Sequence, residues 1–183
     1  THFGTSDKYG NLVSCTQTAV SSFGSKVISN GLGILWNNGM IWFNPKPGNK
    51  NSIAPFKRPL VNMAPILAKK NGKPYMSVGS PGGRKVNNAN TNLSLNILEF
   101  GMGPQEAIST SRSDASGTTT LLDHRINQNV ISELKRMGHK IQMIDDMEAW
   151  YSFARPSAIV IDQDNMTIYG GSDSFPVAEA KGY

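Results

Sequence analysis

Polar and apolar residues alternate along 12–19, with Leu12, Ser14, Thr16 and Thr18 on one face and Val13, Cys15, Gln17 and Ala19 on the other. Period-two alternation is the mark of a strand whose side chains point to opposite sides of a sheet. A second strand is expected at 2–7, and Gly10-Asn11 between the two suits a tight turn. The resulting hairpin returns the region of Thr18 to the head of the chain.

Further along, "GILW" is an apolar run, followed by a Pro- and Gly-rich loop at 44–59. Residues 66–78 read as strand, Asn71-Gly72 turn and strand. Residues 87–101 read as a helix with Leu93, Ile97 and Phe100 on one stripe, and Pro104 suits the first turn of a short helix ending at Ser109. A third helix is expected over 125–140, with Ile126, Val130, Leu134 and Met137 as its apolar face and Gly138 as its stop. Late strands follow at 157–162 and 166–171, around a turn at 163–165. Strands, helices, then strands joined by hairpins predict a single-domain α/β layered fold over 1–183 with antiparallel pairing.

Composition narrows this little. The 183 residues are 38% hydrophobic and 17% charged, as in a globular chain. The net charge of +5 comes from scattered Lys and Arg, without the basic, aromatic-interleaved stripe of a nucleic-acid binder. No apolar run reaches the roughly 18–20 residues that span a bilayer. The lone Cys15 excludes an internal disulfide and Cys-based zinc sites. His2, His124 and His139 show no ligand spacing, so neither metal nor cofactor is expected.

Two features carry candidate chemistry. In "GSPGG" (79–83), Gly82 and Gly83 follow an apolar strand and precede a helix. Two successive amides at a helix mouth form a nest for an anion or the oxyanion of a tetrahedral intermediate. A plain turn fits the same residues. The other feature is Thr1 at the head of the sequence. Removal of an initiator Met leaves such a start, and so does cleavage of a precursor. In the second case Thr1 carries a hydroxyl and a free α-amine able to take its proton. Asp145 and Asp146 fit a solvated loop, and Asp173 a residue that caps or positions a loop. Trp36, Trp42 and Phe43 suit the core, but the Asn37-Asn38-Gly39 bend between them suits a pocket wall, making Asn38 a candidate substrate contact.

"THFGTSDKYGNLVSCTQT", "FGS", "GILWNNGM", "KRPLVNMAP", "VGSPGG" and the final "GGSD…GY" occur in that order across nearly the whole chain. Together they resemble the small, catalytic subunit of γ-glutamyltranspeptidases, which are N-terminal-nucleophile hydrolases. The resemblance implies a four-layer αββα sandwich, completed by a large subunit cut from the same precursor, in a heterodimer or a dimer of heterodimers. It also implies Thr1 as nucleophile, Thr18 as the threonine that orients it, and Gly82 and Gly83 as oxyanion donors. The acyl-enzyme would pass to water or to an amine. Any targeting signal would lie on the missing N-terminal part, leaving the compartment open.

The departures bear on substrate and terminus. The family's acidic residue for the substrate α-amine falls on Trp42, and its paired serines for the α-carboxylate fall on Val61 and Asn62. These changes keep a non-glutamyl acylase in play, and with it an inactive binding relative. Family members begin Thr, then Thr or Ser, then His, whereas here His2 follows Thr1 directly. A one-residue shift turns a strand side chain to the other face, so two alternatives stand: Thr1 is the nucleophile, or a residue preceding it is.

Overall fold

The structure, a computed structural model, describes residues 1–146, 152–174 and 178–183. The chain forms two compact units: Thr1–Thr16 with Met63–Tyr183 (unit 1), and Gln17–Asn62 (unit 2).

Unit 1 opens with the expected hairpin, β1 (His2–Ser6) and β2 (Leu12–Thr16), in register from His2–Thr16 to Ser6–Leu12. The loop is organised by Asp7, whose carboxylate accepts from the Tyr9 and Asn11 amides and the Asn11 side chain. β2 stops at Thr16, short of the expected Ala19.

A four-stranded antiparallel sheet follows, ordered β3 (Ile66–Lys70), β4 (Lys73–Gly79), β8 (Ser157–Ile161), β9 (Ile168–Ser172). Asn71 and Gly72, both at positive φ, make the β3–β4 turn. Met76 and Val78 of β4 and Ala158 and Val160 of β8 face α1 (Val86–Leu98) and α2 (Pro104–Ser109), packing on Leu93, Ile97, Ala107 and Ile108. Full burial of each large aliphatic side chain there contributes about 1.5–3 kcal/mol. Phe100, expected on the α1 stripe, lies beyond the helix end and is exposed.

The other face of the sheet carries the hairpin. Ser77 Oγ donates to the Val13 carbonyl at 3.0 Å, and Ser14 Oγ to the Val78 carbonyl at 2.9 Å. Gly4 lets the strands approach, since a Cβ there would meet Ser77 Oγ at 3.2 Å and Ile159 Cδ1 at 3.3 Å. Hairpin, sheet and helices thus stack as three layers.

Beside this stack lies a small sheet, β5 (Ser113–Asp114), β6 (Thr120–Asp123) and β7 (Ile141–Ile144). β6 and β7 run parallel, joined through α3 (Gln128–Arg136), a βαβ crossover absent from the hairpin-only expectation. Asn127 caps α3 by accepting from the Asn129 amide at 2.8 Å. The expected apolar stripe is corrected: Ile131 is the buried residue of α3, while Val130 and Met137 are exposed.

Unit 2 holds one short 3-10 helix (Gly39–Trp42) and an isolated Ile28–Leu35 bridge where "GILW" runs. Phe23, Leu32, Trp36 and Ile41 are exposed, whereas Phe43 is buried. Among the described residues, no helix is long and apolar enough to cross a membrane.

Candidate active site

The candidate residues fall in both units. Thr1, Gly82 and Gly83 belong to unit 1; Thr18, Asn38, Trp42 and Asn62 belong to unit 2.

In unit 1 the head of β1 docks on the end of β4. His2 pairs with Thr16 in the ladder, and its Nδ1 lies 2.8 Å from Thr16 Oγ1. The imidazole rests on Gly79, where any Cβ would overlap the ring. Gly79 ends β4 and leads directly into Ser80, Pro81, Gly82 and Gly83. One end of the sheet therefore gathers the chain head and the glycine loop. Burial pushes the His2 pKa below the ordinary histidine value, which keeps the ring neutral near pH 7.

The loop is held in a shape that requires glycine. Gly82 has φ 149° and ψ 19°, and Gly83 has φ 62°, backbone regions that side-chain-bearing residues rarely occupy. A Cβ on Gly82 would also fall 2.5 Å from Ala154 Cβ. The Pro81 carbonyl accepts from the Arg155 amide at 3.0 Å. Both glycines are exposed, and the 3-10 turn Gly83–Lys85 runs straight into α1. An exposed glycine pair at a helix mouth can stabilise a developing negative charge.

Two residues that hold this loop were missed by sequence reasoning. Ser80, fully buried, donates to Asn90 Oδ1 at 2.8 Å, and Asn90 Nδ2 donates to the Ala64 carbonyl at 2.7 Å. Their sequence separation gives no local signal, although an asparagine on the buried stripe of a helix is itself a flag.

In unit 2, Thr18 Oγ1 accepts from the Val20 amide at 2.9 Å, in a turn that places Val20 at φ 75°. Asn38 uses its carboxamide on Ser21, accepting from the amide at 3.0 Å and donating to Oγ at 2.8 Å. Trp42 ends the 3-10 helix half-buried, its carbonyl accepting from Asn51 Nδ2 at 2.7 Å. Asn62 is half-buried and Val61 exposed.

Unit 1 also holds a charged cluster. Asp146 is buried and pairs with Arg155 Nη1 at 2.9 Å, which corrects the expected solvated loop, and Asp173 pairs with Arg112 Nη2 at 2.5 Å. Among the described residues, no group of three or more His, Cys, Asp or Glu side chains is placed to hold a metal ion.

The family model described as gamma-glutamyltranspeptidase matches residues 1–183. The chain belongs to the γ-glutamyltranspeptidase family. The glutathione hydrolase proenzyme of Bacillus subtilis (strain 168) is 32% identical over 175 residues, covering 95% of this chain and 29% of that protein. The acylase ACY 1 proenzyme of Pseudomonas sp. (strain V22) is 36% identical over 141 residues, covering 77% of this chain and 25% of that protein. The chain thus spans less than a third of the length of these curated relatives. Among solved structures, a highly active tryptophan-to-aspartate mutant of the γ-glutamyltranspeptidase from Pseudomonas nitroreducens superposes with a TM-score of 0.73 at 28% identity, covering 100% of this chain and 97% of that chain.

Proposed function

We propose that this chain belongs to the small, nucleophile-bearing subunit of an acyltransferase or amidohydrolase that cleaves γ-glutamyl or related acyl amides. The observation that carries it is the docking of His2 on Gly79, which gathers the head of β1 and the Gly82–Gly83 loop at one end of the sheet.

A threonine hydroxyl at the head of β1 attacks the amide carbonyl, and its proton passes to the α-amine of the same residue. The O–C bond forms, the oxyanion is received by the Gly82 and Gly83 amides, and the C–N bond breaks as the ammonium returns its proton to the leaving nitrogen. Water or an amine then attacks the acyl-enzyme, giving hydrolysis or transfer and regenerating the hydroxyl.

Two mature termini fit this scheme: Thr1, or a residue directly ahead of it. The pleat favours the second, because the side chains of His2 and Thr16 share the Gly79 face, and alternation gives that face to the residue two before His2. The rest of the precursor supplies the large subunit and the outer helical layer of an αββα sandwich, covering the half-exposed Phe3 and Val13. The acyl group is less bound to a zwitterionic glutamyl head than usual, since Trp42 offers no negative charge and Val61 no side-chain hydrogen bond.

The test uses the full-length processed protein. Mass spectrometry after treatment with an acylating suicide label is expected to place the adduct on the first residue of the small chain, and N-terminal sequencing shows whether that residue is Thr1. Comparison of γ-glutamyl with simple acyl anilides sets the specificity. An uncleaved, unlabelled protein supports an inactive binding relative instead.

A further inference from the structure

Asn90 lies midway along α1 with 1% of its surface exposed. A carboxamide there lowers helix propensity and must find partners for both its donor and its acceptor. The partners found lie on two other segments. Oδ1 accepts from Ser80 Oγ at 2.8 Å, and Nδ2 donates to the Ala64 carbonyl at 2.7 Å. The orientation is forced, because a backbone carbonyl can only accept.

Ser80 stands two residues before Gly82, and Ala64 two residues after Asn62. The loop has a second tie, the Arg155 amide on the Pro81 carbonyl, while Ser80 is held by Asn90. With Ser80 itself fully buried, the pair works as a rigid strut between the base of the glycine loop and segment 63–65.

We propose that Asn90 is a positioning residue: acting through Ser80, it sets where the Gly82 and Gly83 amides stand, and through Ala64 it ties that loop to the segment that follows the candidate substrate residues Val61 and Asn62. The proposal rests on the acyl-transfer function above and adds to it the two arms of the strut. The arms separate chemically. Replacing the serine by alanine removes the Ser80 arm alone. An introduced carboxyl at position 90 keeps an acceptor for Ser80 but loses the donor to Ala64 whenever it is ionised.

The experiment measures steady-state kinetics and thermal unfolding of the mature full-length protein for wild type, Ser80→Ala and Asn90→Asp across pH. Ser80→Ala is expected to lower kcat about tenfold or more with KM within about twofold, as slight misplacement of oxyanion donors does. Asn90→Asp is expected to lose kcat/KM progressively as pH rises through the ionisation of the new carboxyl, with activity recovering at low pH relative to wild type. Wild-type kinetics in both variants, with only the unfolding midpoint lowered, would show a structural brace and overturn the proposal. A wild type that neither turns over acyl anilides nor accepts the suicide label overturns the acyl-transfer function itself, and the positioning role with it.

Discussion

His2 and Thr16 meet across the first pair of the hairpin, Nδ1 to Oγ1 at 2.8 Å, with the imidazole laid on Gly79. Three stretches distant in sequence are thereby joined at one point: the head of β1, the end of β2 and the last residue of β4. The hydrogen bond forms with a neutral ring, Nδ1 accepting from the hydroxyl in one tautomer and donating to it in the other. Protonation places a charge in a half-buried position, and burial holds the His2 pKa below its ordinary value. The unfolded chain therefore binds this proton more readily than the folded one. Stability is fully present above the ordinary histidine value of about 6.5 and is lost as pH falls through that value to the lowered folded one. Denaturant midpoints measured between pH 4.5 and 8 are expected to show this slope, and His2→Gln is expected to flatten it. An unchanged slope in the variant would assign the effect to other groups.

Gly82 is expected to tolerate no side chain. Its φ of 149° and the 2.5 Å approach of a Cβ to Ala154 Cβ both oppose one. Gly82→Ala must shift the loop, and misplacing an oxyanion donor costs about 10²–10³-fold in kcat. Steady-state kinetics of the full-length variant check this, with circular dichroism to confirm the fold. Loss of less than about threefold would remove Gly82 from the oxyanion role.

Val20 carries backbone strain. A β-branched residue at φ 75° is an outlier, of a kind that costs of order 1–3 kcal/mol. The strain is held by the turn in which the Val20 amide donates to Thr18 Oγ1. Asparagine tolerates the left-handed region far better. Val20→Asn is expected to raise stability by about 1 kcal/mol, read as a higher denaturant midpoint at unchanged m-value. A lower midpoint would show that the apolar side chain contributes more than its backbone costs.

What the sequence made legible is local. Asn71-Gly72 announced a turn because both residues accept positive φ, and Leu93 and Ile97 announced the buried side of α1 by their spacing. The misses are tertiary. β5 to β7 are two to four residues long, too short for periodicity to register. The α3 stripe read from Ile126, Val130, Leu134 and Met137 lost to Ile131, because packing rather than pattern chose the buried side. Asp146 looked solvated until Arg155, nine positions on, was folded against it. The glycine loop was visible as a motif, while its supports, Ser80 and Asn90, were not: their bond joins residues ten positions apart. Thr18 marks the limit of pattern, since the alternation continues through it but the strand stops at Thr16.

Trp42 bears on substrate choice. By resemblance it occupies the place of the acidic residue that holds a substrate α-ammonium, and an indole can offer such a cation only its π face. A carboxylate there adds a charge-assisted hydrogen bond, worth roughly 1.5–3 kcal/mol. Trp42→Asp is therefore expected to raise kcat/KM for a γ-glutamyl anilide by roughly ten- to a hundredfold, while an acyl anilide lacking the amine gains nothing. The double comparison matters because a general effect of opening the 3-10 helix Gly39–Trp42 would move both substrates together. Equal gains on the two anilides, or none on the γ-glutamyl one, would detach Trp42 from recognition of the amine and leave it a structural residue of unit 2.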